Sequence, residues 1–439
     1  MDCCSVHGEG LAEDSGDFFE IKPECRDEVP KTRFKPKAGK TLSARRWHSS
    51  FSEEGYLDIA RVLKRIQRGG IHPSIKGVVW EFLLGCYDPK STFDQRIQLR
   101  QRRREQYEIW KLECQEMEET VGSGKIITAP IITEDGQPIP DMFSNDVASQ
   151  APSEREEPQE LEQQAESTPV HGKIMQWKLS LHQIGLDVVR TDRTLMYYEN
   201  EKNLARLWDI LAVYSWIDRD IGYCQGMSDL CSPMVIILEN EVDAFWCFEH
   251  LMRRMRGNFR CTASSVGVQS QLGTLASIIK AVDPKLHQHL ENLDGGEYLF
   301  AFRMLMVLFR REFSFVDSLY LWELMWAMEY NPHLFTSYES MSPSKKSKEL
   351  KESDGMLNQY GKFERDNVKN GCKDQQGTLS IFLVASVLEA KNRRLLKEAK
   401  GLDDVVKILN SITGSLDAKK ACTDALKIHK KYLHQVNKS

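Results

Sequence analysis

Two short segments carry the side chains best suited to chemistry on a phosphate group. Residues 184–191 contain Asp187 and, three positions later, Arg190, and residues 223–227 contain Gln225. An arginine guanidinium is planar, stays protonated and can bond two phosphate oxygens, whereas a glutamine amide both donates and accepts and can orient a water molecule. Taken alone, an Asp-x-x-Arg pair is usually an ordinary ion pair on a helix surface, and a lone glutamine at a helix start is usually a satisfied polar residue.

The wider sequence around these residues resembles a known family. Residues 184–191 are Ile-Gly-Leu-Asp-Val-Val-Arg-Thr, residues 223–227 are Tyr-Cys-Gln-Gly-Met, and upstream Lys76 precedes Trp80 by four positions. The three segments resemble the signature motifs of TBC domains, which the family writes as R-x-x-x-W, I-x-x-D-x-x-R and Y-x-Q-G-M. The second and third motifs match at every specified position, whereas Lys76 stands where the family usually has arginine.

A later segment extends the resemblance. Residues 300–323 are similar to the family's late helical segment, with Met304 where a tryptophan is common. The resemblance spans about residues 55–435. Three motifs in the same order over this length are far more specific than any one of them.

The resemblance implies a GTPase-activating protein that acts on the GTP-bound form of a Rab-type small GTPase in vesicle trafficking. GTP hydrolysis is slow unless a cation stabilises the developing charge and an amide orients the attacking water. In TBC domains the arginine of the second motif and the glutamine of the third supply these groups, which implies Arg190 as an arginine finger and Gln225 as a glutamine finger. The partner holds the GTP and Mg²⁺, so we expect no cofactor, no metal and a regulator rather than an enzyme. The residues expected to support the fingers are Asp187, Tyr223, Gly226, Lys76 and Trp80.

A second hypothesis is a TBC-fold scaffold that binds a GTP-loaded Rab as an effector and accelerates nothing. The intact finger residues favour the activator, whereas the departures at Lys76 and Met304 leave room for the scaffold. Gly226 is expected to permit a close backbone approach. We expect Trp80 in the core and Lys76 as a solvated charge.

Hydrophobic periodicity predicts an all-α fold. Apolar residues recur with helical spacing over residues 56–118, 173–330 and 378–436, and residues 91–118 indicate one long, charged helix. Strand signals are almost absent. The resemblance further implies a TBC-type domain with two helical subdomains.

Three polar segments are predicted to be disordered. Residues 1–50 have few apolar side chains, residues 134–169 contain ten acidic residues and one basic residue, and residues 337–376 are rich in serine and lysine. Such segments bury too little apolar surface to offset the entropy of ordering. The folded domain is therefore expected to span residues 51–436, with two disordered insertions.

Other functions are not favoured by the sequence. A formal net charge of −5 gives no global reason to expect nucleic acid or anionic lipid as a partner. The basic run in residues 100–104 is expected to be the solvated face of a helix. Residues 122–125, Gly-Ser-Gly-Lys, lack the first glycine and the Ser/Thr of a phosphate loop, so the chain is not expected to hold nucleotide.

The cysteines and the hydropathy indicate a location. Eleven cysteines without a Cys-x-x-Cys pair fit a reducing compartment. Since no run of about 18 apolar residues is present, no transmembrane segment is expected. The predicted location is the cytoplasm, and peripheral association with endomembranes and acylation of Cys3 or Cys4 are left open.

Overall fold

The computed structural model describes residues 19–139, 169–262, 265–339, 357–370 and 377–436. Helices dominate these ranges, which confirms the predicted all-α fold. None of the helices in the described ranges combines the length and the apolar character needed to cross a bilayer.

Seventeen α-helices and one small antiparallel strand pair make up the regular structure of the described ranges, together with short 3₁₀ helices. The α-helices are α1 (Ala44–His48), α2 (Ile59–Gly69), α3 (Lys76–Leu83), α4 (Phe93–Met117), α5 (Pro169–Arg190), α6 (Glu201–Ile217), α7 (Met227–Ile237), α8 (Glu241–Phe259), α9 (Val268–Val282), α10 (Pro284–Asn292), α11 (Phe302–Met306), α12 (Phe315–Glu329), α13 (Leu334–Glu339), α14 (Lys362–Lys369), α15 (Leu379–Glu398), α16 (Leu402–Asn410) and α17 (Ala418–Val436). Short 3₁₀ helices are Pro23–Cys25, Pro73–Ile75, Met196–Glu199 and Leu299–Ala301. The strands β1 (Cys261–Thr262) and β2 (Ser265–Val266) pair antiparallel.

A first group of helices packs around α6. Helices α4, α5, α7 and α8 all contact α6, whose residues 207–216 are buried on every side. The indole N–H of Trp208 donates to Leu181 O at 3.1 Å, and that of Trp177 donates to Ala212 O at 3.0 Å. These bonds join α6 to α5, so the helix that carries Asp187 and Arg190 is fixed against the most buried helix of the group.

A second group packs around α12 and α15. Helix α15 contacts α9, α10, α16 and α17, whereas α12 contacts α2, α3, α14 and α17. The ring of Trp326 lies 5.0 Å from that of Trp80 and 5.8 Å from that of Trp322, between centroids. Trp80 therefore lies in the core, as expected. Helix α3 contacts both α7 and α12 and so joins the two groups, which match the two helical subdomains implied by the family resemblance.

The long helix α4 agrees closely with its predicted bounds. It begins after Thr92, whose Oγ1 accepts from Gln95 N at 3.3 Å, while Gln95 Oε1 accepts from Thr92 N at 2.8 Å. This reciprocal capping box satisfies two backbone donors at the start of the helix.

The basic run on α4 is not the solvated face that the sequence suggested. Arg103 is buried and donates to Cys86 O at 2.7 Å. Arg100 pairs with Glu81 at 2.7 Å, and Arg104 pairs with Asp243 at 3.2 Å. The partners lie on α8 and around α3, so the run connects α4 to its neighbours.

The expectation that Lys76 is a solvated charge is also wrong, because its side chain is 0% exposed. Its Nζ pairs with the carboxylate of Glu323, which lies 247 residues later in the chain. The same carboxylate accepts from Trp80 Nε1 at 3.2 Å and from Ile71 N at 3.3 Å. Burial raises the pKa of Glu323, and the Lys76 cation opposes that rise. Lys76 is therefore part of a buried ion pair in the core.

The N-terminal segment is ordered from residue 19, which corrects the prediction of disorder over residues 1–50. The ring of Phe34 stacks on that of Tyr320 with centroids 4.3 Å apart. The backbone N–H groups of Arg33 and Phe34 donate to the Asp317 carboxylate at 2.9 Å and 2.7 Å. Partners nearly 300 residues away therefore hold a segment whose own composition is polar. Residues 1–18 lie outside the described ranges.

The predicted polar loop 337–376 contains a packed helix, α14, and is corrected there. Phe363 is buried, and Asn367 Oδ1 is hydrogen-bonded to His429 Nε2 at 2.8 Å. Contacts with α12, the burial of Phe363 and a hydrogen bond to α17 thus order a short polar helix. Most of the rest of this loop, and most of the acidic insertion 134–169, lies outside the described residues.

The buried pair of Lys76 and Glu323 leads to a testable prediction about stability. Lys76→Met leaves Glu323 charged and unpaired in the core, so we expect a loss of about 3–5 kcal/mol in the free energy of unfolding, measured by urea denaturation. The folded-state pKa of Glu323, already raised, then rises further, so the folded state binds a proton more tightly than the unfolded state. Part of the loss should therefore be recovered as the pH falls from about 7 to about 5.

Lys76→Arg, which keeps the charge, and the double variant Lys76→Met/Glu323→Gln, which removes both charges, are the controls. Both should be more stable than Lys76→Met. A Lys76→Met variant as stable as the parent at neutral pH would show that the pair is not needed.

Candidate functional site

The two motif segments lie side by side at one cavity. Arg190 is the last residue of α5, and Gln225 lies in the loop before α7, next to Gly226. Both side chains are exposed, and both line a cavity of about 640 Å³. The remaining lining residues are Asp187, Thr191, Arg193, Gly226, Ser228, Asp229, Phe302, Arg303, Met306, Val307 and Arg311.

The carboxylate of Asp187 joins the two segments from behind the cavity. It pairs with the guanidinium of Arg190, and its other oxygen accepts from the Tyr223 hydroxyl at 2.6 Å. Gln183 Nε2, one turn earlier on α5, donates to it at 3.3 Å. Burial and the neighbouring Asp187 carboxylate raise the pKa of Tyr223, so its hydroxyl keeps the proton that it donates. Asp187 therefore orients Arg190 and anchors the loop that carries Gln225.

A second contact strengthens the same junction. Thr191 Oγ1 lies 2.7 Å from Asp187 O and 2.8 Å from Ser228 Oγ, which are hydrogen-bonding distances. Ser228 is in the first turn of α7. The end of α5 and the start of α7 are therefore joined through side chain and backbone. The loop that carries Gln225 is held by hydrogen bonds at both Tyr223 and Ser228.

Gly226 lets that loop turn into α7. Its φ of +100° lies where side chains are strongly disfavoured, and a Cβ there would lie 3.0 Å from Val307 Cγ1. The close approach expected from the sequence is thus made by the segment after α11, which forms the opposite wall of the cavity. Any residue but glycine would displace Gln225 or that wall.

Three arginines present half-exposed guanidinium groups to the cavity, each held by a buried carboxylate. The side chains of Arg190, Arg303 and Arg311 are 53%, 55% and 49% exposed. Their partners Asp187, Glu312 and Asp229 are 2%, 1% and 9% exposed, respectively. Burial raises the pKa of Asp229 and Glu312, and the paired arginines oppose that rise. The pairs hold the guanidinium groups in place while leaving donors free for an incoming anion.

Several of these residues were not predicted from the sequence. Arg303 lies in the late segment that extended the family resemblance, but neither its pairing nor that of Arg311 has a local sequence signal. Among the predicted supporting residues, Lys76 and Trp80 do not line the cavity and act in the core. No group of three or more metal-ligating side chains occurs in the described ranges, and the expected lack of a cofactor stays a prediction.

Comparisons with known proteins identify the family of this chain. A family model described as a Rab-GTPase-TBC domain matches residues 142–347, a range that includes the whole cavity. Rab GTPase-activating protein 22 of Arabidopsis thaliana is 28% identical over 463 aligned positions, which cover 88% of this chain and 79% of that protein. TBC1 domain family member 17 of Homo sapiens is 33% identical over 299 positions, which cover 67% of this chain but 38% of that protein.

The fold has a counterpart among solved structures. The crystal structure of the Ypt/Rab-GAP domain of Gyp1p superposes with a TM-score of 0.54 at 16% identity, covering 88% of this chain and 98% of that one. At this identity the match supports the fold alone. The family model and the relatives establish that the chain belongs to the TBC-domain family of Rab GTPase-activating proteins.

A glycine inside the second motif explains how α5 is placed. A Cβ on Gly185 would lie 1.7 Å from Ile127 O, so α5 packs directly on the backbone that follows α4. Gly172, near the start of the same helix, has no atom within 4 Å of an added Cβ. Both glycines therefore lie in α5, but an added Cβ would clash at Gly185 and would meet open space at Gly172.

Alanine at these two positions should have opposite effects. Gly185→Ala forces α5 away from its support, so we expect a loss of about 1–3 kcal/mol in the free energy of unfolding. Gly172→Ala, the matched control, should leave stability unchanged or raise it by up to about 1 kcal/mol, since alanine favours a helix. Urea denaturation followed by circular dichroism measures both. Equal effects of the two variants would contradict the packing described for α5.

Proposed function

We propose that the chain is a GTPase-activating protein that acts in the cytoplasm on the GTP-bound form of a Rab-type small GTPase. In this proposal Arg190 and Gln225 enter the partner's nucleotide site and complete it. The partner supplies GTP and Mg²⁺, and this chain supplies the two side chains in trans. The name of the Arabidopsis relative, a Rab GTPase-activating protein, supports the proposed partner class.

The observation that carries the proposal is the convergence of Arg190 and Gln225. They come from different elements, α5 and the loop before α7, yet both are exposed at the rim of one cavity. Exposed side chains are usually mobile, and ordering them on binding costs entropy. Here the Asp187 carboxylate holds the first directly and the loop of the second through Tyr223. Such preorganisation is what a transition-state contact requires.

Each finger has a distinct task in the proposed mechanism. The guanidinium of Arg190 stabilises the charge that develops on the phosphate oxygens as the bond to the leaving group lengthens. Its pairing with Asp187 uses one side of the guanidinium and leaves donors on the other side for the phosphates. The amide of Gln225 accepts a hydrogen bond from the attacking water with its oxygen and can donate to a phosphate oxygen with its nitrogen.

The other cavity residues favour a large, partly acidic partner. Arg303 and Arg311 add two half-exposed guanidinium groups around the fingers, and Phe302 adds a ring that is 46% exposed. Aromatic and arginine side chains are the residues that dominate the energetics of protein–protein interfaces. We assign these three residues to contact with the GTPase surface around its nucleotide.

The alternative of a silent scaffold loses its main support. It rested on Lys76 and Met304, which depart from the family pattern. Both are buried, and neither is among the described residues that line the cavity. A core substitution that keeps its own ion pair does not remove a group from the proposed reaction.

The proposed finger residues should be essential for catalysis, and their variants should remain folded because Asp187 keeps its hydrogen bonds from Tyr223 and Gln183. Arg190→Ala should lower the stimulated rate of GTP hydrolysis by about 10³-fold or more, and Gln225→Ala should also lower it steeply. Arg190→Lys should recover little, because lysine keeps the charge but loses the fork. The double variant should cost less than the product of the single effects, since both fingers serve one transition state. Phosphate release from a panel of GTP-loaded Rabs measures these rates.

Arg393→Lys and Gln288→Ala change exposed residues far from the motifs in sequence and are the matched controls. They should leave the stimulated rate unchanged. If a finger variant kept the parental rate on a Rab that the parent accelerates, the assignment of that finger would be wrong.

The nucleotide state of the partner separates an activator from a scaffold. An activator binds the transition state more tightly than the ground state. The chain should therefore bind a Rab carrying GDP and aluminium fluoride more tightly than the same Rab carrying GDP alone, measured by calorimetry. Arg190→Ala should abolish this gain.

A scaffold would instead prefer the Rab bound to a stable GTP analogue and would ignore the fluoride. Binding that is equal with and without fluoride, to a Rab whose hydrolysis is also unaffected, would contradict the activator.

A further inference from the structure

A second cavity is lined by more basic than acidic residues. It has a volume of about 170 Å³ and lies where the N-terminal segment meets α2, α12 and α17. It shares no lining residue with the finger cavity. The basic lining residues are Arg33, Lys35, Lys37, Lys40, Arg68 and Lys419.

Most of these cations come from one short stretch of chain. Residues 31–40 contain five basic residues and no acidic residue, in a chain whose formal net charge is −5. The contacts of Phe34 with Tyr320 and of the backbone with Asp317 fix this stretch against α12. The lysines are therefore held at the cavity by the fold.

The two carboxylates at the cavity are already engaged with backbone groups. Asp317 accepts from the N–H groups of Arg33 and Phe34 and from Ser314 Oγ at 2.9 Å. Asp417 accepts from Lys420 N at 2.7 Å at the start of α17. No ion pair between a lining cation and a carboxylate occurs within the part of the chain that the structure describes. Six basic and two acidic residues thus line the cavity, which leaves a formal excess of four positive charges.

The electrostatics next to the cavity show the same excess. The pKa of Arg65 is lowered, first by the charge of Arg46 and also by those of Arg68 and Arg61. Like charges gathered at one place favour the binding of a multivalent anion, because it relieves several repulsions at once.

We propose that this cavity binds the phosphate groups of a polyphosphorylated anion, either a free inositol polyphosphate or the headgroup of a phosphoinositide in a membrane. Its small volume and the convergence of its cations suit a compact ligand with closely spaced phosphates. Lysine, the commonest lining residue, binds phosphate as a flexible point charge. A phosphate group carries about −1.5 to −2 charges, so two of them match the cavity's formal excess of four positive charges with fewer groups than a carboxylate peptide needs. This site is independent of the proposed GTPase activation and extends beyond it.

The test uses the full chain and two kinds of probe. Calorimetry with inositol hexakisphosphate measures the free ligand. Sedimentation with phosphatidylcholine vesicles containing phosphatidylinositol bisphosphate, against vesicles containing phosphatidylserine at the same total charge, measures the membrane-bound headgroup. We expect saturable binding of at least one phosphorylated probe, weakened by salt, and a preference for bisphosphate over serine lipid if the source is a membrane.

The variant Lys35→Gln/Lys37→Gln/Lys40→Gln should weaken that binding roughly 100-fold, since each lysine near a charged surface contributes about a fivefold factor. The side chains of Lys35, Lys37 and Lys40 are exposed and make no ion pair in the described chain, so the thermal midpoint of the variant should not change. The matched control Lys280→Gln/Lys285→Gln/Lys397→Gln removes the same charge from exposed positions outside the cavity and should bind like the parent. Stimulated GTP hydrolysis in solution should be the same for all three proteins.

Three results would overturn the proposal. The first is equal binding by the cavity variant and the parent. The second is an equal loss in the control, which would indicate a general effect of net charge. The third is a peptide of residues 140–165, from the acidic insertion, that binds the cavity more tightly than the phosphorylated probes, because the occupant would then be an acidic peptide.

Discussion

A single buried carboxylate, that of Asp187, orders the candidate site. It accepts from Tyr223, pairs with Arg190 and is nearly inaccessible to solvent. A buried charge that loses its partners costs several kcal/mol, so separating the end of α5 from the loop before α7 would require a large free energy. The side chains of Arg190 and Gln225 are presented together because their supports share one anion. The placement of α5 itself depends on Gly185, whose missing side chain allows contact with the backbone after α4.

Ion pairs in this structure have different roles that depend on how exposed their members are. At the cavity, a buried carboxylate holds one side of a half-exposed arginine and leaves its other donors free, so the pair prepares a cation for a partner. In the core, Lys76 and Glu323 are both inaccessible, and their pair serves only the junction of α3 with α12. At the N-terminal cavity, Asp317 and Asp417 accept from backbone N–H groups, and the basic lining residues outnumber these two carboxylates. The exposure of each member thus decides what an ion pair does.

Local patterns were sufficient for the helices and for the two finger segments. The helical class and the bounds of α4 follow from periodicity, whereas the pairing of Arg190 with Gln225 was implied by the family resemblance of the motifs. Contacts distant in sequence were not predictable. Lys76 becomes a core residue only through Glu323, 247 residues later, and the N-terminal segment is ordered through Asp317. Helix α14 lies in a segment whose composition predicts disorder, but it is ordered by contacts with α12 and by the packing of Phe363 against Phe382 of α15 and His429 of α17. One sequence does not reveal which distant residues will supply a partner.

The central claim is that the Asp187 carboxylate positions both fingers. A double-mutant cycle of Tyr223→Phe and Gln225→Ala, followed by single-turnover GTP hydrolysis on a responsive Rab, tests it most directly. Tyr223→Phe removes one hydroxyl donor to Asp187 and leaves both fingers intact. The account predicts that Tyr223→Phe slows hydrolysis in the parent and has little further effect once Gln225 is gone. Equal effects of Tyr223→Phe in both backgrounds, or no effect in the parent, would contradict the account.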